Sequence, residues 1–160
     1  IREVPAEKDE YQKDNFEIQL FSYVGAVIRK SVLQQVGLPK KDYFIWYDDT
    51  EHSMRLAKEG KILCIPAIRI THDIASQGDT NTIDWKFYYV LRNKLDFYKS
   101  HFPTNVYLYY HFRETGKAYW NLLLNKKPLM NKIRLQAVKD AFAGKLGLHS
   151  IYKPGWKSGK

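Results

Sequence analysis

The feature of this chain that most constrains its fold is a change of rhythm part-way along. Through residue 77, short β-branched and aromatic runs take turns with helix-period stretches, and from residue 78 the pattern is helical almost throughout. "FEIQLFSYV" has strand composition, and "GAVIRKSVLQQVGLP" reads as a short strand passing into a helix that ends at Gly37, with Pro39 just beyond. "DDTEHSMRLAKEGK" makes a second helix closed by Gly60, and "KILCIP" and "AIRITHD" follow as strands. After the polar turn "ASQGDTNT" come three helices. Asp84 is placed to cap "WKFYYVLRNKLDFYKS", which sets Phe87, Leu91, Leu95 and Tyr98 on one face. "VYLYYHFRETGKAYWNLLL" is the next, and Pro128 opens a last one, "LMNKIRLQAVKDAFAG", closed by Gly144. The tyrosines and phenylalanines fall at helical spacing suited to packing. The expected organisation is therefore an α/β region over residues 1–77 and a helical region over 78–160.

Charge divides at the same place. Residues 1–77 hold 11 Lys and Arg against 12 Asp and Glu, whereas residues 78–160 hold 15 against 5. A basic, aromatic second half raises the question of nucleic acid, but it carries no recognition motif, so nucleic acid is not an expected partner. The tail "NKKPLMNKIRLQAVKDAFAGKLG" suits an anionic membrane surface, and equally a solvated helical cap with ordinary lysines. No eighteen apolar residues run together, so no spanning segment is expected. A single cysteine, Cys64, excludes a disulfide within the chain and reads as a buried small hydrophobe in a strand. The chain opens without methionine or signal-peptide pattern and closes on "KPGWKSGK", which reads as a piece of something longer.

The stretch with most chemistry in it is "YFIWYDDTEHSMRLAKEG", residues 43–60, where two aspartates follow a tryptophan at the start of a helix. Asp48 with Glu51 three residues on has capping-box spacing. Consecutive helical residues point about 100° apart, so Asp49 is left over, with its ionised form favoured by the helix N-terminus. A carboxylate so placed suits a general base; the plain alternative is a charged helix start on a solvated face.

The run from "SYVGAV" through "FIWYDDTEHSMRLAKEG" to "AIRITHD" resembles the second half of the catalytic domain of family-2 glycosyltransferases of the GT-A fold. It is nearest to bacterial rhamnosyltransferases and galactofuranosyltransferases. The likeness covers roughly residues 16 to 100 and takes in "YYVLRNKL", which looks like that subgroup's "YY..RN" element. It implies the C-terminal half of a GT-A nucleotide-diphospho-sugar transferase sandwich followed by a mainly helical region. It also implies Asp49 as catalytic base with Asp48 beside it, and His72 as a ligand of a divalent Mg or Mn on the nucleotide diphosphate. Trp46 is implied beside the acceptor sugar, Gly25 where backbone approaches the donor, and Glu51 among the donor- or acceptor-binding residues. The implied partners are a nucleotide-diphospho-sugar donor and a saccharide or lipid-linked acceptor; the expected location is cytoplasmic, with a peripheral place on the inner face of the bacterial plasma membrane as the alternative that the basic tail leaves open.

One departure stands out. The family's N-terminal nucleotide-binding half, with its Asp-x-Asp metal motif, has no counterpart here, and "GDT" at 78–80 is no substitute. The chain alone is thus expected to be inactive and to lack most of a donor site. It should also leave a sheet edge exposed, through which it could self-associate. The competing class is a non-catalytic membrane-docking or assembly module.

Overall fold

The computed structural model describes residues 4–73 and 83–158. The chain divides into two compact units, Ile1–Pro39 with Asp49–Ser76, and Lys40–Asp48 with Gln77–Lys160. The polar turn expected at residues 75–82, "GDT" included, lies outside the described residues.

In the first unit, strand β1 (Phe16–Ile18) pairs antiparallel with β2 (Ile62–Cys64), in the register Phe16 to Cys64, Glu17 to Leu63 and Ile18 to Ile62. Phe16 is buried, with the ring of Tyr11 edge-on at 5.1 Å. Helix α1 (Lys30–Val36) ends as its sequence says it should. Gly37 takes φ of +83° and its N–H returns to Leu33 O at 2.8 Å.

Strand composition proves a poorer guide than helix punctuation. Of the runs read as strands, "FEIQLFSYV" is strand only over its first residues, and "GAVI" and "AIRITHD" are irregular. Strand propensity describes how well a residue fits a pleated surface beside neighbours. The described residues offer a two-stranded ribbon three pairs long, with no third strand to pair with. Val27, Ile68 and Ile70 are consequently exposed, and Cys64 is only half-buried. A GT-A sandwich is not what these strands make by themselves; the architecture is mixed α and β with helix predominant.

Helix α2 (Asp48–Leu56) buries a polar face in this unit: Glu51, His52 and Ser53, with Leu56. Each polar group has a partner, as burial requires. Arg55 Nε donates to both Glu51 oxygens at 3.0 Å, while its Nη1 and Nη2 donate to Val36 O and Leu38 O at 2.6 and 2.9 Å. One guanidinium thus satisfies carbonyls at the end of α1 and the carboxylate of α2. The carbonyl of Gly37 can only accept, so His52 Nε2 carries a proton to it at 3.0 Å and Nδ1 accepts from the Tyr23 hydroxyl at 2.6 Å.

That neutral tautomer agrees with a His52 pKa lowered by burial, and burial also lowers His111 and His149. These histidines bind protons more weakly folded than unfolded. Their contribution is therefore intact above the unfolded value of 6.5 and is lost as pH falls below it. The melting temperature should accordingly drop between neutral pH and the acidic end of histidine titration, and His52→Gln should flatten that drop. An unchanged slope in the variant would mean that His52 takes no part.

In the second unit, helices α3 (Lys86–His101), α4 (Thr104–Leu123) and α5 (Pro128–Phe142) pack on one another. Of the face expected on α3, Leu91, Leu95 and Tyr98 are buried, and Phe87 is half-buried under the Arg134 guanidinium. The buried surface is wider than an apolar stripe, since Tyr88, Tyr89, Arg92, Asn93 and Asp96 go in as well. Leu95, Tyr107, Ala118, Ile133, Ala137 and Val138 supply apolar core; full burial of a side chain such as Leu95 or Ile133 is worth about 1.5–3 kcal/mol. Asp84 does not cap α3. Its Oδ1 is buried without a partner among the described residues, and its backbone bridges to Lys157. Pro128 does open α5, and Gly144, at φ +67°, follows its end.

Candidate functional site

The segment Lys40–Asp48 belongs with the helical unit, and the reason is a pair of adjacent side chains on α3. Asn93 Nδ2 lies 2.9 Å from each of three carbonyls, those of Tyr43, Ile45 and Trp46. Arg92 Nη2 reaches Asp42 O and Tyr43 O at 3.2 and 3.3 Å, its Nη1 donates to Gly147 O at 2.6 Å, and its Nε to Asn93 Oδ1 at 3.0 Å. The guanidinium also lies over the rings of Tyr88 and Tyr89. Below the loop, the Tyr43 hydroxyl donates to Asp96 at 2.8 Å.

This anchoring matters because the loop is strained. Phe44, Trp46 and Tyr47 all take positive φ, at 65°, 68° and 67°, a region that costs a bulky residue on the order of 1–3 kcal/mol. Three such residues in a run of four persist only where the surroundings over-determine them, and the Arg92–Asn93 pair does so. The "RN" of "YYVLRNKL" was legible as an element, but nothing in sequence said that both side chains turn inward to hold the carbonyls of residues 42–46. Trp46 is held by its backbone while its indole is 50% exposed, so it is not a core residue. Asp48, half-buried, is the first residue of α2 rather than the residue before it.

In the first unit, Asp49 follows as the next helical residue. Its Oδ1 accepts from the Thr50 N–H at 2.8 Å, and its Oδ2 has no partner among the described residues. The backbone beneath it is fixed by Ser53, whose hydroxyl donates to Asp49 O at 2.7 Å and accepts from Phe21 N–H at 3.2 Å. The carboxylate that takes an amide of the first turn is therefore Asp49, whereas Glu51 is buried against Arg55. Gly25 sits at φ +80°, and a Cβ there would lie 2.7 Å from Ile70 Cδ1. The positive φ favours glycine, and the short approach, to the movable end of an exposed side chain, places Gly25 against the segment that leads to His72. His72 itself is exposed and outside any strand. Among the described residues no three His, Cys, Asp or Glu side chains converge. The described residues around His72 thus make no cation site by themselves.

No family model and no solved structure matches the chain. Over 128 residues, 78% of its length, it is 30% identical to the galactofuranosyltransferase GlfT2 of Mycolicibacterium smegmatis, and it spans 19% of that protein. The chain is thus related, over most of its own length, to a limited region of a glycosyltransferase.

Proposed function

We propose that this chain is the C-terminal half of the GT-A catalytic domain of an inverting glycosyltransferase, with the helical region that follows it. The observation that carries the proposal is local. A strained, internally anchored loop delivers an exposed tryptophan and two consecutive aspartates at a helix start, in a chain 30% identical to a galactofuranosyltransferase. Strain maintained by buried polar anchors is characteristic of functional segments.

In the proposed reaction the acceptor hydroxyl attacks the anomeric carbon of a nucleotide-diphosphate sugar. The new C–O bond forms as the bond to the diphosphate breaks with its electron pair, and the hydroxyl proton passes to Asp49 Oδ2, the oxygen without a partner among the described residues. Trp46 offers an exposed ring for the apolar face of a sugar. Asp48 adds negative charge next to the base. Galactofuranose is favoured over rhamnose by the relative's name, and the acceptor is a growing cell-surface polysaccharide or lipid-linked saccharide.

The test is transfer from UDP-galactofuranose, set against dTDP-rhamnose, by the intact protein that contains this chain. Product from neither donor would remove the proposal. Within the same assay His72→Ala should raise the Mn²⁺ concentration needed for half-maximal transfer several-fold while leaving the melting temperature in place, as loss of one exposed ligand would. A lowered melting temperature with unchanged metal dependence would make His72 structural.

A further inference from the structure

Helix α4 buries Tyr107 but turns most of its other aromatic residues outward, contrary to the packing role their spacing suggests. Leu108, Tyr109, Phe112, Tyr119, Trp120 and Leu123 are all exposed, Phe112 to 65%, Trp120 to 63% and Leu123 to 78%. At 100° per residue these positions fall within about 120° of one another around the helix, and at 1.5 Å per residue the stripe runs about 22 Å. Such a surface is larger than isolated apolar residues on a monomer account for.

The charges around it have one sign. The acidic residues of α4 and α5 are Glu114 and Asp140, and both are buried. Glu114 is paired with Arg134, and Asp140 accepts from the Tyr88 hydroxyl at 2.7 Å and from Gln136 at 2.8 Å. The charged groups that α4, α5 and the turn between them expose are cationic: Arg113, Lys117, Lys126, Lys127, Lys132 and Lys139. Lys132 and Lys139 line one groove with Tyr119 and Phe142, so ammonium groups and aromatic rings share a surface.

We propose that this face of α4 and α5 docks on an anionic lipid bilayer, with the rings at headgroup level and the lysines on lipid phosphates. Tryptophan and tyrosine favour that depth, and lysines bind there by charge complementarity. A second copy of the same face would bring like charges together, which disfavours a symmetric dimer through it. No helix among the described residues is long and apolar enough to cross a membrane, so α4 lies on the surface. The proposal does not depend on the transferase reading.

Co-sedimentation of the whole chain with vesicles tests it. Phosphatidylcholine vesicles containing phosphatidylglycerol should bind the chain more than tenfold better than phosphatidylcholine alone, and salt should release it. Brominated lipids should quench fluorescence in the chain and lose part of that effect in Trp120→Phe. The doubly substituted Phe112→Ser/Trp120→Ser and Lys132→Glu/Lys139→Glu chains, folded by circular dichroism, should each lose binding by about tenfold or more. Should either variant misfold, the quenching difference at Trp120 decides. Equal binding to both vesicle types, no binding, or variants that bind like the original chain would overturn the proposal. So would displacement of the vesicles by single-stranded polynucleotide with protection of Trp120, or self-association abolished by the same substitutions.

Discussion

Asp49→Asn, made in the intact protein, is expected to lower turnover by about a hundredfold or more with little change in the KM for the donor. The carboxamide oxygen can still accept from the Thr50 N–H, as Asp49 Oδ1 does at 2.8 Å, so the first turn of α2 should keep its form. What the amide cannot do is take a proton. The prediction therefore separates the base from a helix-start carboxylate: a purely structural Asp49 would leave turnover near normal in the asparagine variant. In the proposed reaction Asp48 supplies charge beside the base rather than the proton acceptor itself, so Asp48→Asn should cost less, about tenfold. Equal losses in the two variants would mean that the roles assigned to the pair are wrong.

Arg92→Met is expected to be the most destabilising single change in the helical unit, by about 3–5 kcal/mol. Arg92 is 1% exposed, and its hydrogen bonds go to the carbonyls of Asp42, Tyr43 and Gly147 and to Asn93 Oδ1. Methionine fills much of the volume but leaves those buried and part-buried acceptors without their donors. The loss also releases Asn93 from its neighbour, and with it the carbonyls that hold Phe44, Trp46 and Tyr47 at positive φ. Denaturant midpoints measure the effect, with Lys153→Ala, at an exposed position of the same unit, as a control expected within about 0.5 kcal/mol of the original. A midpoint for Arg92→Met close to that control would show that the carbonyls find other partners.

Legibility followed how local each determinant is. Gly37 and Pro128 mark helix ends through their own backbone preferences, so the end of α1 and the start of α5 could be read residue by residue. Asp84 shows the limit of the same reasoning. An aspartate before a helix is a good capping candidate, yet its carboxylate is buried elsewhere because the strand-like contact with Lys157 takes that stretch of chain. The paired aspartates of the candidate site stood out in sequence because two acids beside a tryptophan are conspicuous. Arg92 and Asn93, more than forty residues further on, did not, since a buried arginine and a solvated one look alike in a helical pattern.

By itself the sequence determined the mixed class of the first half, the three long helices of the second, and the basic balance that the exposed lysines of α4 and α5 display. These depend on period, punctuation and charge, which are properties of neighbouring residues. Tertiary structure alone decided which faces those helices cover. Glu51, His52 and Ser53 go inside because Arg55, Gly37 and Phe21 offer them hydrogen-bond partners, and a polar side chain is buried only where such partners exist. Phe112 and Trp120 stay outside because α5 packs on another side of α4, and helical spacing states that an apolar stripe exists without stating what covers it.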